Sequence, residues 1–206
     1  MHRIPLCLLA LGLSLTAQAQ DGRTTSPAAT VSAFLEQRQE SPAPGAPTGR
    51  VLMRMAPLLS PELVCLLGAA SRYRDAFEAN TPGEASPFSN TDLFSSHATG
   101  HTQASPGTPS TEQGLISVPV HMRFQAEEGN PAVEWTDEFH LRRDGQRWRI
   151  QDITYSADTV EGRPGNLVRW LRDTLGHSDA RANWNSAELK GCPAPTAAKP
   201  AQKKTH

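Results

Sequence analysis

The chain has 206 residues, with 20 Lys and Arg against 21 Asp and Glu, three cysteines and a near-neutral formal charge of −1. That balance excludes an electrostatic case for nucleic acid, and no Lys/Arg-rich run with interleaved aromatics occurs apart from a short basic tail. The length fits one domain with flexible ends.

The first twenty residues carry Arg3 followed by an apolar run from Ile4 to Leu15, too short to span a bilayer. Ala17 and Ala19 then form the small-x-small pattern of a signal-peptide cleavage site, so residues 1–19 are expected to be removed and Gln20 to start a periplasmic or secreted protein. The leader's one charged side chain is Arg3, which leaves 19 basic and 21 acidic side chains and a charge of −2. No later apolar stretch is long enough to cross a membrane. Loss of Cys7 leaves Cys65 and Cys192 in a compartment where disulfides persist. A bridge between them is the economical reading, against a buried Cys65 thiol and a free cysteine near the tail.

Thr25 or Ser26 before Pro27 is an N-cap signal, and Val31, Phe34 and Leu35 continue at helical spacing, which predicts a helix from Pro27 to Gln39. Ser41 to Gly49, with three prolines and two glycines, is a loop. Arg50 to Leu59 reads as a short second helix. Ser60 and Pro61 open a third, on which Leu63, Leu66, Leu67, Ala70, Tyr73 and Phe77 form one apolar stripe flanked by Arg72 and Arg74. Asn80 to Thr111 has little periodicity; a loop this long in a compact domain is expected to cover the mouth of a pocket. His97 and His101 have helical metal-ligand spacing there, but the Gly100 turn context argues against a helix, and no metal or cofactor is expected.

From Leu115 the period becomes two. Ile116, Val118, Val120, Met122 and Phe124 alternate with polar residues, as do Val133, Trp135, Phe139 and Leu141, and then Trp148 and Ile150. Glu127 to Pro131 makes the first turn and Asp144-Gly145 the second, giving an antiparallel meander. Asn166 to Leu175 is a final helix stopped by Gly176, and residues from Pro193 to 206 read as a disordered tail. The class is α+β, with helices packed on a curved antiparallel sheet in one domain over 20–192.

An even-length turn centred on Asp144-Gly145 sets Leu141 against Trp148, Phe139 against Ile150 and Asp137 against Asp152, with both carboxylates on the apolar face. Facing like charges repel and burial adds a desolvation cost, so one would hold a proton or both would need a cation such as Arg54, Arg72 or Arg74. Asp137→Asn would then stabilise an unpaired couple. This predicts a pocket of Asp137, Asp152, Trp135, Met122, Tyr73 and Arg74, with the two carboxylates as acid and base if it is catalytic. The opposite face carries His121, Arg123, Glu138, His140, Arg142, Arg147, Arg149 and Gln151, a candidate docking surface for an acidic protein. In that register Arg149 faces His140, Arg147 faces Arg142 and Gln151 faces Glu138.

Early Val31, Phe34 and Leu35, the late strand Trp148, Arg149 and Ile150 with Asp152 and Ile153, and Pro87, Phe88, Asp92 and Phe94 ahead of the sheet give the chain a familiar outline. It resembles the nuclear transport factor 2-like (SnoaL-like) superfamily, in its exported bacterial branch of uncharacterised families, over about Thr25 to Leu175. The resemblance implies a cone-shaped fold and marks no single chemistry, since that superfamily includes enzymes, transport adaptors and immunity proteins. Its Asp-His catalytic dyad has no counterpart here. The expectation is therefore an exported non-catalytic protein that binds a small molecule or an exported protein, such as an immunity protein; the alternative is a cofactor-independent enzyme using the paired carboxylates.

Overall fold

A computed structural model describes residues 26–112, 115–126, 131–156 and 165–193. The leader, most of the Glu127 to Pro131 turn and the tail beyond Pro193 lie outside these residues. The chain is α+β: helices pack on a five-stranded antiparallel sheet.

Helix α1, Pro27–Glu40, starts where the Ser26 side chain accepts the Ala29 amide at 3.2 Å, and buries Val31, Phe34, Leu35 and Arg38 along one face. The second helix is shorter than the sequence predicts: α2 covers Gly49–Met55, and Ala56–Leu58 tightens to a 3-10 turn around Pro57. Ser60 caps the Leu63 amide to open α3, Pro61–Asn80, whose apolar stripe is buried from Leu63 to Phe77. Helix α4 spans Leu167–Leu175, capped by Asn166, and Ser186–Gly191 forms a second 3-10 turn. Among the described residues no helix is long and apolar enough to cross a membrane.

Five strands run in chain order: β1 Gln103–Pro106, β2 Ser110–Glu112, β3 Leu115–Phe124, β4 Val133–Asp144 and β5 Arg147–Thr154. Strands β1 and β2 pair with the two halves of β3, while β4 and β5 complete the meander on its other side. The sheet turns Val118, Val120, Met122, Trp135, Asp137, Phe139, Leu141, Ile150, Ile153 and Tyr155 inward, all buried.

Residues 86–96, from the part of the chain with no readable period, are largely buried rather than laid over an opening. Phe94 meets Phe34 edge-on at 5.2 Å, and Phe34 meets Phe139 at 5.8 Å, so chain from this segment fills the space between α1 and the sheet. Its polar groups are matched locally. Arg38 pairs with Asp92 at 3.3 Å, both nearly fully buried, and its guanidinium lies over Phe94. The segment also passes close to Gly45, at φ 84°, where a Cβ would come within 2.4 Å of the Phe88 and Ser89 carbonyl oxygens.

The β4–β5 register differs from expectation in two ways. The two-residue loop is Gly145-Gln146, with Gly145 at φ 59°, so Asp144 faces Arg147, Arg142 faces Arg149 and Leu141 faces Ile150. A bulge then takes up Gln151, and beyond it His140 faces Asp152, Phe139 faces Ile153 and Glu138 faces Thr154. The extra residue inverts the alternation, carrying Ile153 and Tyr155 into the core and Asp152 out to the opposite face. The energetic sense is plain: a buried isoleucine contributes about 1.5–3 kcal/mol, whereas a second carboxylate at Asp137 would be desolvated and repelled.

Candidate functional site

Asp137 and Asp152, expected to face each other, lie on opposite faces of the sheet. Asp137 is wholly buried and receives four hydrogen bonds: from the Ser96 amide at 2.9 Å, the Ser96 hydroxyl, Trp135 Nε1 at 3.2 Å and the Ser156 amide at 2.9 Å. Its lone pairs are committed to fastening residues 95–97 and the end of β5 to β4. Trp135 and Met122 are cross-strand partners beside it, and His97 stacks on Trp135 at 5.2 Å and on Phe124 at 4.8 Å. His101, four residues on, is held below the usual imidazole range, mainly by burial and also by Arg38, against the opposing pull of Asp92 and Asp137.

The other two pocket candidates sit elsewhere. Tyr73 packs on Phe77, Phe88 and Trp184, and its hydroxyl donates to Asp179 Oδ2 at 2.7 Å. Burial, then that bond, pushes its pKa up to about 12, while Arg181 and Tyr73 hold Asp179 down to about 2. Arg74 donates to the Ala46 carbonyl and pairs with Asp75 at 2.6 Å. Neither reaches Asp137 through any of these bonds.

The outer face of the sheet is mostly polar in successive cross-strand rows: Ser105, His121 and Thr136; then Pro119, Glu138 and Thr154; then Ser117, His140 and Asp152; then Arg142 and Arg149. These docking candidates are not one free surface. His121 Nδ1 lies 3.0 Å from Thr136 Oγ1 and His140 Nε2 lies 2.7 Å from Thr154 Oγ1. Arg149 pairs with Asp144 at 2.7 Å and donates to the Ala56 and Leu59 carbonyls, tying β5 to the turn before α3. Arg147 stands exposed at the hairpin beside Asp144 rather than facing Arg142. At the far end, Arg123 meets Gln125 at 3.1 Å and lines an open groove of about 540 Å³ with His121 and Glu134.

Where the sheet meets α3 and α4, a trough of about 400 Å³ opens between Glu62, Arg142, Gln151, Asp152, Asn166, Arg169 and Arg172. A second hollow of about 200 Å³ continues it, sharing Glu62, Arg142 and Gln151 and ending at Arg149 and Pro193. Arg172 Nε and Nη2 both donate to Glu62 Oε1, at 2.9 and 2.6 Å, and Nη2 also reaches the Pro193 carbonyl at 2.9 Å. Asp152 Oδ1 accepts the Ile153 and Val168 amides at 2.8 and 2.9 Å. Both Arg172 bonds fall on Glu62 Oε1, and among the described residues Glu62 Oε2 receives none, while Asp152 also takes the Leu167 amide. Glu62 is 7% exposed. Desolvation, reinforced by Glu62 and opposed by the backbone amides, pushes Asp152 up to about 6.

A carboxyl whose pKa rises on folding favours the fold most when protonated, so the native state loses stability as pH climbs from about 3.8 to about 6. Asp152→Asn is therefore expected to stabilise the protein near pH 7 by about 1–2 kcal/mol, after allowing for the lost charge at the α4 N-terminus. The gain should vanish below about pH 4. Urea midpoints of the two proteins at both pH values check this, and an equal difference at both would remove burial of Asp152 as the cause.

Of the trough residues, Arg142 and Gln151 were legible as part of the outer sheet face, whereas Asp152 was expected on the inner one. Glu62, Asn166, Arg169 and Arg172 were not: Glu62 reads as first-turn helix chemistry and the others as the start and polar side of α4, and only the tertiary packing brings them together. Comparison with protein-family models, with curated proteins and with solved structures finds no match to this chain.

Proposed function

We propose that this chain is an exported, non-catalytic protein that binds a small ligand in the outer trough of Glu62, Arg142, Gln151, Asp152, Asn166 and Arg172. Its helices closing one face of a curved sheet would then be a cone-shaped fold of the nuclear transport factor 2-like kind, working in the periplasm or outside the cell. The observation that carries the reading is a contrast. On the inner face Asp137 is fully buried and has four protein donors. On the outer face Asp152, with Glu62 of α3 beside it, stands at the wall of a 400 Å³ trough, within the size range of ligand pockets, and Glu62 Oε2 receives no donor among the described residues. An acid/base role for Asp137 with Asp152 has no geometric support, since the sheet stands between them.

A fragment screen followed by amide chemical shifts tests this. Hits are expected to move Gln151, Asp152, Asn166 and Val168, to lose affinity in Gln151→Ala, and to be recovered chemically unchanged. Shifts clustered at Trp135 and Ser96 instead, or turnover of a hit, would overturn it.

A further inference from the structure

A hollow of about 190 Å³, sharing no lining residue with the trough, lies between the end of α1 and the chain that leads into β1, walled by Arg38, Gln39, Asp92, Thr99, Gly100 and His101. The turn beside it is fastened to Asp92. The Asp92 amide donates to the Ala98 carbonyl at 2.7 Å, and Gly100, at φ 83°, brings the chain so close that a Cβ there would come within 2.8 Å of Asp92 Oδ2. His101 is thereby held half-buried in the same wall as the Arg38–Asp92 pair, and its Nδ1 is buried without a hydrogen-bond partner. We propose that His101 is an acid-sensitive latch: neutral, it lets residues 97–101 close over Arg38 and Asp92, and protonated, it swings that turn out into water.

Hydrogen bonding and charge both favour the neutral ring in the closed turn. An imidazolium carries a donor on each nitrogen, whichever tautomer it came from, so its Nδ1–H would be a buried donor with no acceptor. It would also be a second cation beside Arg38, whose own Nε has no acceptor, while Asp92 is already paired with that arginine at 3.3 Å. The other carboxylate that bears on the ring, Asp137 of β4, accepts its four hydrogen bonds from Ser96, Trp135 and Ser156. His97, in the same turn, lies against Trp135 and Phe124. Burial and Arg38 hold the His101 ring below the usual imidazole range against the pull of the two carboxylates. A histidine of this kind favours the closed form when neutral, so closure is firmest above about pH 6.5 and weakens as pH falls below it. Asp152 acts in the opposite sense, since its protonation favours the fold, so it does not mimic the latch.

Hydrogen exchange of the Asp92 amide reads the latch, because opening the turn takes away the Ala98 carbonyl it donates to. Its protection, corrected for the intrinsic rate, is expected to fall by about tenfold between pH 7 and pH 5, within the limit of about tenfold per pH unit that uptake of one proton sets. His101→Gln keeps a polar side chain but takes up no proton, so it should abolish the fall. The Ser60 amide, bonded to the Ile150 carbonyl, should keep its protection in both proteins. By NMR, the His101 ring of the folded protein should titrate below its own value in urea. Unchanged protection at Asp92 in the wild type, an equal fall in His101→Gln, an equal fall at Ser60, or a ring that titrates at or above its value in urea would overturn the inference.

Discussion

Asp137→Asn is expected to destabilise the protein by about 3–5 kcal/mol, a large share of the 5–15 kcal/mol that holds a domain of this size folded. The carboxylate accepts from two backbone amides, a hydroxyl and an indole, with no water to take its place at full burial. Asparagine supplies one acceptor oxygen and turns an NH2 group toward donors, so up to two of the four bonds are lost. Each hydrogen bond to a charged group contributes about 1.5–3 kcal/mol, and a buried donor left unmatched costs about 1–3 kcal/mol. The loss should appear as a lower urea midpoint, with the near-ultraviolet signal of Trp135 changed because its Nε1 loses its acceptor. Had Asp152 faced Asp137, the same substitution would have relieved repulsion and stabilised the fold. A midpoint at or above wild type would thus argue against the bulged register itself.

That bulge is the point at which the sequence stops being readable. Helices α1, α3 and α4 and strands β3 to β5 follow from periodicity and caps, because apolar residues at spacing 3.6 or 2 leave few ways to bury a face. Nothing local marks Gln151 as an unpaired residue; its position follows from the need to bury both Ile150 and Ile153, three residues apart on a strand. The edge strands β1 and β2 were missed because Gln-Ala-Ser-Pro and Ser-Thr-Glu carry no alternating apolar pattern. Burial of Phe88, Leu93 and Phe94 follows from their being apolar, but the buried serines around them were missed for a related reason. Ser86, Ser89, Ser95 and Ser96 look like surface loop until their hydroxyls are matched inside, as Ser89 is to Glu78 and Ser96 is to Asp137.

The Cys65–Cys192 bridge is the other large contribution, and its removal should be felt in two places. It joins the second turn of α3 to the end of the last 3-10 turn, with Cα atoms 5.5 Å apart and a sequence separation of 127. Closing a loop of that length lowers the entropy of the unfolded chain by an amount equivalent to about 4–5 kcal/mol, so the double serine variant should lose about 3–5 kcal/mol. The segment it holds is not uniformly dependent on it. Trp184 is buried against Tyr73 and donates to the Leu175 carbonyl at 2.9 Å, and Asp179 accepts from Tyr73, so residues 179–184 keep their own anchors. Residues 186–193 have no buried side chain. Hydrogen exchange in the variant should accelerate at 188–192 while the Trp184 amide stays protected. Because the Pro193 carbonyl is an acceptor for Arg172, loosening there also frees one of the two restraints on the arginine that occupies Glu62 Oε1. Reductant added to the wild type should reproduce both effects, whereas equal urea midpoints with and without reductant would mean that the bridge does not form in the folded protein.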